Sequence, residues 1–389
     1  MNRVLFLSES YYPFQSGVPV VVRYLAEGLV LKGYNVTVAT SIEKEAALSK
    51  TDTLNGVEIK RFVLWRDVSK CIRGEINEFR QYVVSNQFDV IILECGQTVT
   101  TDVLLPVLNR INAQILIHAH GLSGLLVKPF EIKNDFKHTI GGTYNWFRMK
   151  WYYGHMFKKA CSYINASISL TNCDSGYHYL SKHIPNNYVL PNAADDLFFE
   201  QGATAYKLPI NKPYSISIAN YTVVKNQIMM LQEYYKTKNH DHALVMIGSS
   251  PNNYYRKLIE EKKRLDDKFG HRDVLILTGI ERKFFPYLLD NASLYLVTST
   301  YEEYSISLIE AMSRGVPFIS TNVGNAKDLP GGVTIEKTDD LHLVIDEMLD
   351  NKEELQRLSN AGKDFAYRNC RIQVAVENLI DIINKELQK

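Results

Sequence analysis

What this chain lacks narrows the field first. No apolar run approaches the ~20 residues needed to span a membrane as a helix. The formal net charge is only +1, so there is no basic field and nucleic acid is not suggested as a partner. The five cysteines are odd in number, scattered and without a C-x-x-C pair. They read as reduced, mostly buried thiols of a cytosolic protein, not as a disulfide framework or a zinc site. No G-x-G-x-x-G follows an apolar strand, which disfavours a dinucleotide oxidoreductase. The opening MNRVLFLSES holds an apolar core of four residues, too short for a signal peptide and better read as a first strand.

What is present reads as an ordinary globular α/β chain. Its 389 residues predict two domains, each large enough for its own core. Short apolar runs recur at 3–7, 88–93, 115–119, 167–170, 215–219, 243–250, 273–280 and 294–297, with helical stretches between them. That alternation predicts parallel sheets. Residues 57–65 alternate like a half-buried strand. An irregular stretch, 200–213, carries Gly202, Pro209 and Pro213. It places the boundary between domains 1–200 and 201–370.

The stretch LYLVTSTYEEYSISLIEAMSRGVPFISTNVGN, 294–325, organises the rest. A buried strand ends at Thr298, a loop carries Glu302 and Glu303, and a helix starts near Ser305 or Ser307. Gly315 and Pro317 stop that helix before the next strand. Such a loop lies at the carboxyl end of a strand and the amino end of a helix, where open α/β sheets bind anions. Glu302 and Glu310 frame the helix with seven residues between them. Ser307-x-x-Glu310 by itself reads as a capping box, in which Glu310 serves only a backbone N–H.

Over some 30 residues the stretch resembles the Glu-x7-Glu motif of the retaining glycosyltransferases of family 4, which use nucleotide-sugar donors on the GT-B fold. The second Glu, the following Ala-Met, the Gly and the Pro are in place; Glu303 and Ser305 stand where that family has glycines. The resemblance implies that Glu302 sits by the donor sugar and that Glu310 bonds the ribose hydroxyls. Lys225-Asn226 matches the Lys-Gly or Lys-Asn of that family, and Asn220 stands where its arginine usually meets the diphosphate. Lys225 and the helix start at Ser305, Ile306 and Ser307 would then carry the phosphate charge. Arg282 and Lys283 are the basic residues to suspect in the place of the missing arginine. Asn322-Val323-Gly324-Asn325 resembles a DVGG segment, with the Gly324 backbone meeting sugar or phosphate.

The first half matches the family pattern more weakly. In the loop SESYYPFQSGVP, Ser16-Gly17 stands for a Gly-Gly pair whose backbone approaches a diphosphate or an acceptor; a plain turn glycine is the other reading. His120-Gly121 matches a His-Gly pair facing the donor sugar, where imidazole could donate a hydrogen bond; a locally satisfied histidine is the other reading. His118 and His120 alone make no metal site, because no Asp, Glu or Cys completes one locally. Residues 143–163 interleave aromatics with Arg148, Lys150, Lys158 and Lys159 and contain no acid. They read as a core helix with a solvated basic face or, for 143–160, as a peripheral membrane contact.

The resemblance implies a GT-B architecture of two doubly wound Rossmann-like domains facing a central cleft, with helix 371–389 crossing back onto the first domain. It implies transfer of a sugar, with retention, from a UDP- or GDP-sugar to a glycan or lipid-linked glycan acceptor. The setting would be cell-surface polysaccharide synthesis in the cytoplasm or at the inner face of the membrane. No cofactor and no metal are expected. No D-x-D pair occurs, the element through which GT-A transferases hold a diphosphate by a divalent cation. A sugar-nucleotide epimerase on the same fold and a catalytically inactive sugar-binding subunit remain as alternatives.

Overall fold

The computed structural model describes residues 2–14, 17–43, 48–128, 136–336 and 340–389. Ser16, named above beside Gly17, lies outside them. The chain divides into two units, Met1–Asn192 with Ala375–Lys389, and Ala193–Val374. The division falls within YVLPNAADDLFF, ahead of the irregular stretch 200–213. The last helix, Ile372–Leu387, has its contacts with the first unit: Gly28 packs under Val376, and Tyr188 donates to Glu386 at 2.6 Å.

The second unit is built on six parallel strands. Their spatial order is Val274–Thr278, Ala243–Gly248, Tyr214–Ile218, Ala292–Val297, Phe318–Thr321 and Gly332–Ile335. In chain order this is 3-2-1-4-5-6, the doubly wound arrangement in which connections diverge between the first and fourth strands. Strands covered by helices on both faces read as continuous apolar runs; Ala243 to Gly248 is buried throughout. Ligands of such sheets bind at the carboxyl ends of the diverging strands. Here these ends lead into 219–226 and 298–305.

The first unit repeats the plan. Strands Val57–Arg66, Asn35–Ile42, Arg3–Ser8, Val90–Glu94, Gln114–His118, Ala166–Ser169 and Asn186–Val189 lie side by side and parallel. Two short strands, Thr51–Leu54 and Ile72–Gly74, add antiparallel pairs to Val57–Arg66. The first pair is a hairpin that the run 57–65 did not reveal. Its turn, Asn55-Gly56, has φ of 48° and 83°, the double left-handed geometry that a two-residue hairpin turn of this type requires.

Residues 143–163 present one buried and one exposed face, as a core helix does. Met149, Tyr152, Tyr153 and Phe157 are buried, while Tyr144, Phe147 and Trp151 are exposed. The helix widens into a π turn over Tyr152–Met156. The extra residue turns the adjacent Tyr152 and Tyr153 both inward, where Tyr152 donates to Asp102 at 2.5 Å. Burial of the cysteines is mixed: Cys161 and Cys370 are buried, Cys71 and Cys173 are exposed, and all five thiols are free.

Candidate active site

In the second unit, the sequence-predicted residues gather at the diverging strand ends. After strand Tyr214–Ile218, a short turn ends at Lys225, and Asn226 takes a left-handed φ of 51°. The Thr298 hydroxyl donates to the carbonyls of Lys225 and Asn226 at 3.0 and 3.1 Å. The Thr300 N–H donates to the Val224 carbonyl at 2.7 Å. These bonds fasten the Lys225 loop to the loop that carries Glu302. The Lys225 ammonium pairs with the Glu302 carboxylate, which also accepts from the Ser299 hydroxyl at 2.6 Å. Lys225 therefore faces the site but is already neutralised by Glu302, which the sequence reading had not joined to it.

The helix that follows runs Ile306–Ser313 with Ser305 at its N-cap, and no side chain caps it. The capping box therefore does not form: Ser307 lies inside the helix, and Glu310 lies beyond its first turn. Glu310 instead pairs with the Arg282 guanidinium, which stacks 4.9 Å from the Phe198 ring. Glu310 is only 5% exposed. Burial pushes its carboxyl up, and Arg282 pulls it part of the way back. Arg282 thus serves Glu310. Lys283 pairs with Glu281 at 2.8 Å. Asn220, exposed, contributes its carbonyl to the Gln227 side chain at 3.0 Å.

Gly324 closes the same loop cluster. Its φ is 56°, and a Cβ there would lie 3.0 Å from the Glu302 Cβ and 3.2 Å from the Glu302 carbonyl oxygen. Only glycine combines that backbone with that approach at no cost. The next residue, Asn325, is buried and accepts the Ser305 N–H at 2.8 Å. Gly324 and the side chain of Asn325 thus hold the Glu302 loop from one side, and Lys225 holds it from the other.

In the first unit, Gly17 has φ 65° and no atom within 4 Å of where a Cβ would stand. It opens helix Val18–Leu31, with Pro19 in the first turn. At the end of strand Gln114–His118, His118 and His120 come together despite His120 lying past the strand. Their ring centroids are 3.8 Å apart, because His120 takes a left-handed φ of 52°. Glu94, which ends strand Val90–Glu94 in register with His118, reaches both. Its Oε2 lies 2.7 Å from His120 Nε2 and 3.2 Å from His118 Nδ1.

Sequence reasoning found no carboxylate for this pair because it looked along the chain; the partner comes from the adjacent strand. The available signal was an acid closing the apolar run VIILE. Burial alone raises the Glu94 carboxyl, but His118 and then His120 outweigh it and hold it down at about 2. Among the described residues, these three are the group whose ligand atoms, all within 4.8 Å, could meet a metal ion. The 2.7 Å contact is a hydrogen-bond length; around one tetrahedral zinc, donors stand about 3.3 Å apart.

Comparisons with known proteins agree with this geometry. Residues 201–365 match the model of the glycosyl transferases group 1 family. The chain is 29% identical over 147 residues to MMP alpha-(1->4)-mannosyltransferase of Mycolicibacterium hassiacum, covering 36% of this chain and 34% of that one. It is 48% identical over 93 residues to 2-deoxystreptamine N-acetyl-D-glucosaminyltransferase of Niallia circulans, covering 23% and 22%. The chain thus spans about a third or less of the length of these curated relatives. Sucrose-phosphate synthase from Thermosynechococcus elongatus shares the fold, with a TM-score of 0.73 at 14% identity over 99% of each chain. An Anabaena protein solved in complex with UDP shares it at a TM-score of 0.69 and 13% identity, over 99% of this chain and 100% of that one. The expected GT-B fold is the fold observed, and the sequence matches support a glycosyltransferase.

Proposed function

We propose that this chain is a retaining glycosyltransferase that moves a sugar from a UDP- or GDP-sugar to a glycan or lipid-linked glycan in cell-surface polysaccharide synthesis. One observation carries the reading: Lys225, Glu302, the open helix start at 305–307, Glu310 and Gly324 meet at the diverging strand ends of a sheet ordered for nucleotide binding. The ribose meets Glu310, the only member of the group that is both acidic and almost fully buried. The diphosphate lies against the uncapped first turn, where N–H groups and the helix dipole favour negative charge. Lys225 leaves Glu302 for the phosphate as the donor enters, freeing the Glu302 carboxylate to face the sugar. As the glycosidic bond breaks, an oxocarbenium-like centre and the leaving phosphate develop opposite charges. Glu302 and Lys225 stabilise one each.

The acceptor side carries a membrane-facing reading. In the first unit a cavity of about 300 Å³ opens beside the π turn, with Trp146, Met149, Tyr153 and Tyr179 as apolar lining and Lys150 and Lys158 among its lining residues. With Tyr144, Phe147 and Trp151 exposed nearby in sequence, this face suits an anionic lipid surface at the inner side of a membrane. No helix of the described residues is long and apolar enough to cross one.

The test is a transfer assay with UDP- and GDP-sugars and lipid-linked or soluble glycan acceptors. Product linkage is read by NMR. Transfer with the donor's anomeric configuration kept supports the proposal. Inversion, or epimerised donor without transfer, refutes it.

A further inference from the structure

The sequence reading gave His120 the role of a hydrogen-bond donor, and the side chains around it say otherwise. Glu94 is 1% exposed and His118 is 1% exposed. An ionised carboxylate only accepts hydrogen bonds, so a nitrogen at hydrogen-bond distance from it carries the proton. His120 Nε2, 2.7 Å from Glu94 Oε2, is therefore N–H, and His118 Nδ1 stands 3.2 Å from the same oxygen. A neutral imidazole then has its lone pair on the other nitrogen. For His120 it is Nδ1, which makes no hydrogen bond among the described residues and is not one of the sealed, unpartnered atoms.

The orientation is over-determined. The His118 ring lies against His120 at 3.8 Å with a 40° tilt. The backbone before it is pinned by the Ala119 N–H on the Ile168 carbonyl at 2.9 Å. The charges acting on His120 are His118, Glu94 and, from the next loop, Asp174. Burial first, then His118, lowers its basicity, while Glu94 and Asp174 oppose that. The ring is therefore held neutral at neutral pH.

We infer that Glu94 is a positioning residue that fixes His120 in the Nε2–H tautomer, so that His120 meets its ligand through Nδ1 as a hydrogen-bond acceptor. The group it selects is a hydroxyl, as on the donor sugar or the acceptor glycan. It is not a phosphate oxygen, which would set lone pair against lone pair with the Glu94 charge behind. This inference rests on the proposed glycosyltransferase reading for the ligand, but not for the tautomer.

The experiment uses the full chain labelled with 15N-histidine. Long-range proton–nitrogen NMR near pH 7.5 reads each tautomer, and steady-state kinetics follow in parallel. The wild type should show His120 as Nε2–H. Glu94→Leu should release it to a mixture or to Nδ1–H and lower kcat/KM by about tenfold or more, the scale of one lost hydrogen bond to a charged group. Glu94→Gln, whose amide oxygen still accepts, should keep the tautomer and restore most of the turnover. A wild-type Nδ1–H tautomer overturns the inference even if Glu94→Leu does not fold. So does an unchanged tautomer in Glu94→Leu, or stoichiometric zinc uptake that Glu94→Gln abolishes. If His120→Ala leaves turnover intact while the tautomer is as stated, the assignment of His120 to the sugar is what has failed.

Discussion

Replacing Glu310 with Gln separates nucleotide recognition from folding. The Glu310 side chain is 6% exposed, and its cationic partner Arg282 has a side chain 48% exposed. Solvent around Arg282 screens that pair, so it resembles a surface ion pair, worth about 0–1 kcal/mol. The Gln variant also sheds the cost of holding a charge in a buried place. Stability should therefore change by no more than about 1 kcal/mol. Binding should respond differently. A carboxylate that accepts from two ribose hydroxyls makes charge-assisted bonds, whose loss costs about 1.5–3 kcal/mol. That is roughly a 10- to 150-fold rise in Kd. Isothermal titration with UDP, GDP and ADP finds the nucleotide and measures the change, and thermal melting measures the stability. A Kd within twofold of wild type refutes the ribose assignment. So does a large melting loss with intact affinity, which would make the Arg282 pair the whole purpose of Glu310.

Four further outcomes follow from the same structure. Lys225→Ala should lower kcat by about a hundredfold, the scale of one preorganised donor to a developing oxyanion, and change KM less; near-normal kcat removes Lys225 from the phosphate. Asn220→Arg should be tolerated, because Asn220 is exposed and only its backbone carbonyl is engaged; a collapse of activity contradicts that placement. Activity should persist in EDTA, since no D-x-D pair is present to carry the diphosphate on a cation; loss restored by magnesium or manganese would overturn the mechanism. Acid should destabilise the first unit through Glu94 and His120. The folded carboxyl titrates at about 2 against about 4.3 unfolded, so its contribution is present above pH ~4.3 and is lost as pH falls toward 2. His120 is likewise lowered, so the unfolded chain takes its proton first and stability declines as pH falls below about 6.5. Glu94→Gln should flatten the lower part of that curve in urea melts, and an unchanged pH dependence would refute the triad's ionisation.

Much of the second unit was legible because its signals are local. Buried parallel strands are unbroken apolar runs, and Leu294–Val297 or Ala243–Ile247 can be read by eye. Glu302, Ser305, Ser307 and Glu310 fall within one loop and helix, and Gly324 closes the next. What the sequence hid was pairing across strands. His120 finds Glu94 26 positions earlier, and Lys225 finds Glu302 77 positions later. No periodicity within either segment encodes those distances. The hairpin at 51–57 could have been read from Asn55-Gly56 between alternating residues. The π turn at Tyr152–Met156 could not, because one inserted residue only shifts which aromatics face inward. Asn325 looked like part of a backbone segment meeting the ligand, whereas its side chain holds the Ser305 N–H.

The most direct test of the central claim is isothermal titration of the full chain with UDP-, GDP- and ADP-sugars, their free nucleoside diphosphates and the bare nucleosides, repeated on Lys225→Ala and Glu310→Gln. The account predicts that one nucleotide series binds the wild type. Glu310→Gln should weaken both the sugar nucleotide and the free diphosphate, and Lys225→Ala should weaken ligands that carry the diphosphate more than the bare nucleoside. Failure of every nucleotide and sugar nucleotide to bind, or binding that both substitutions leave unchanged, would contradict it.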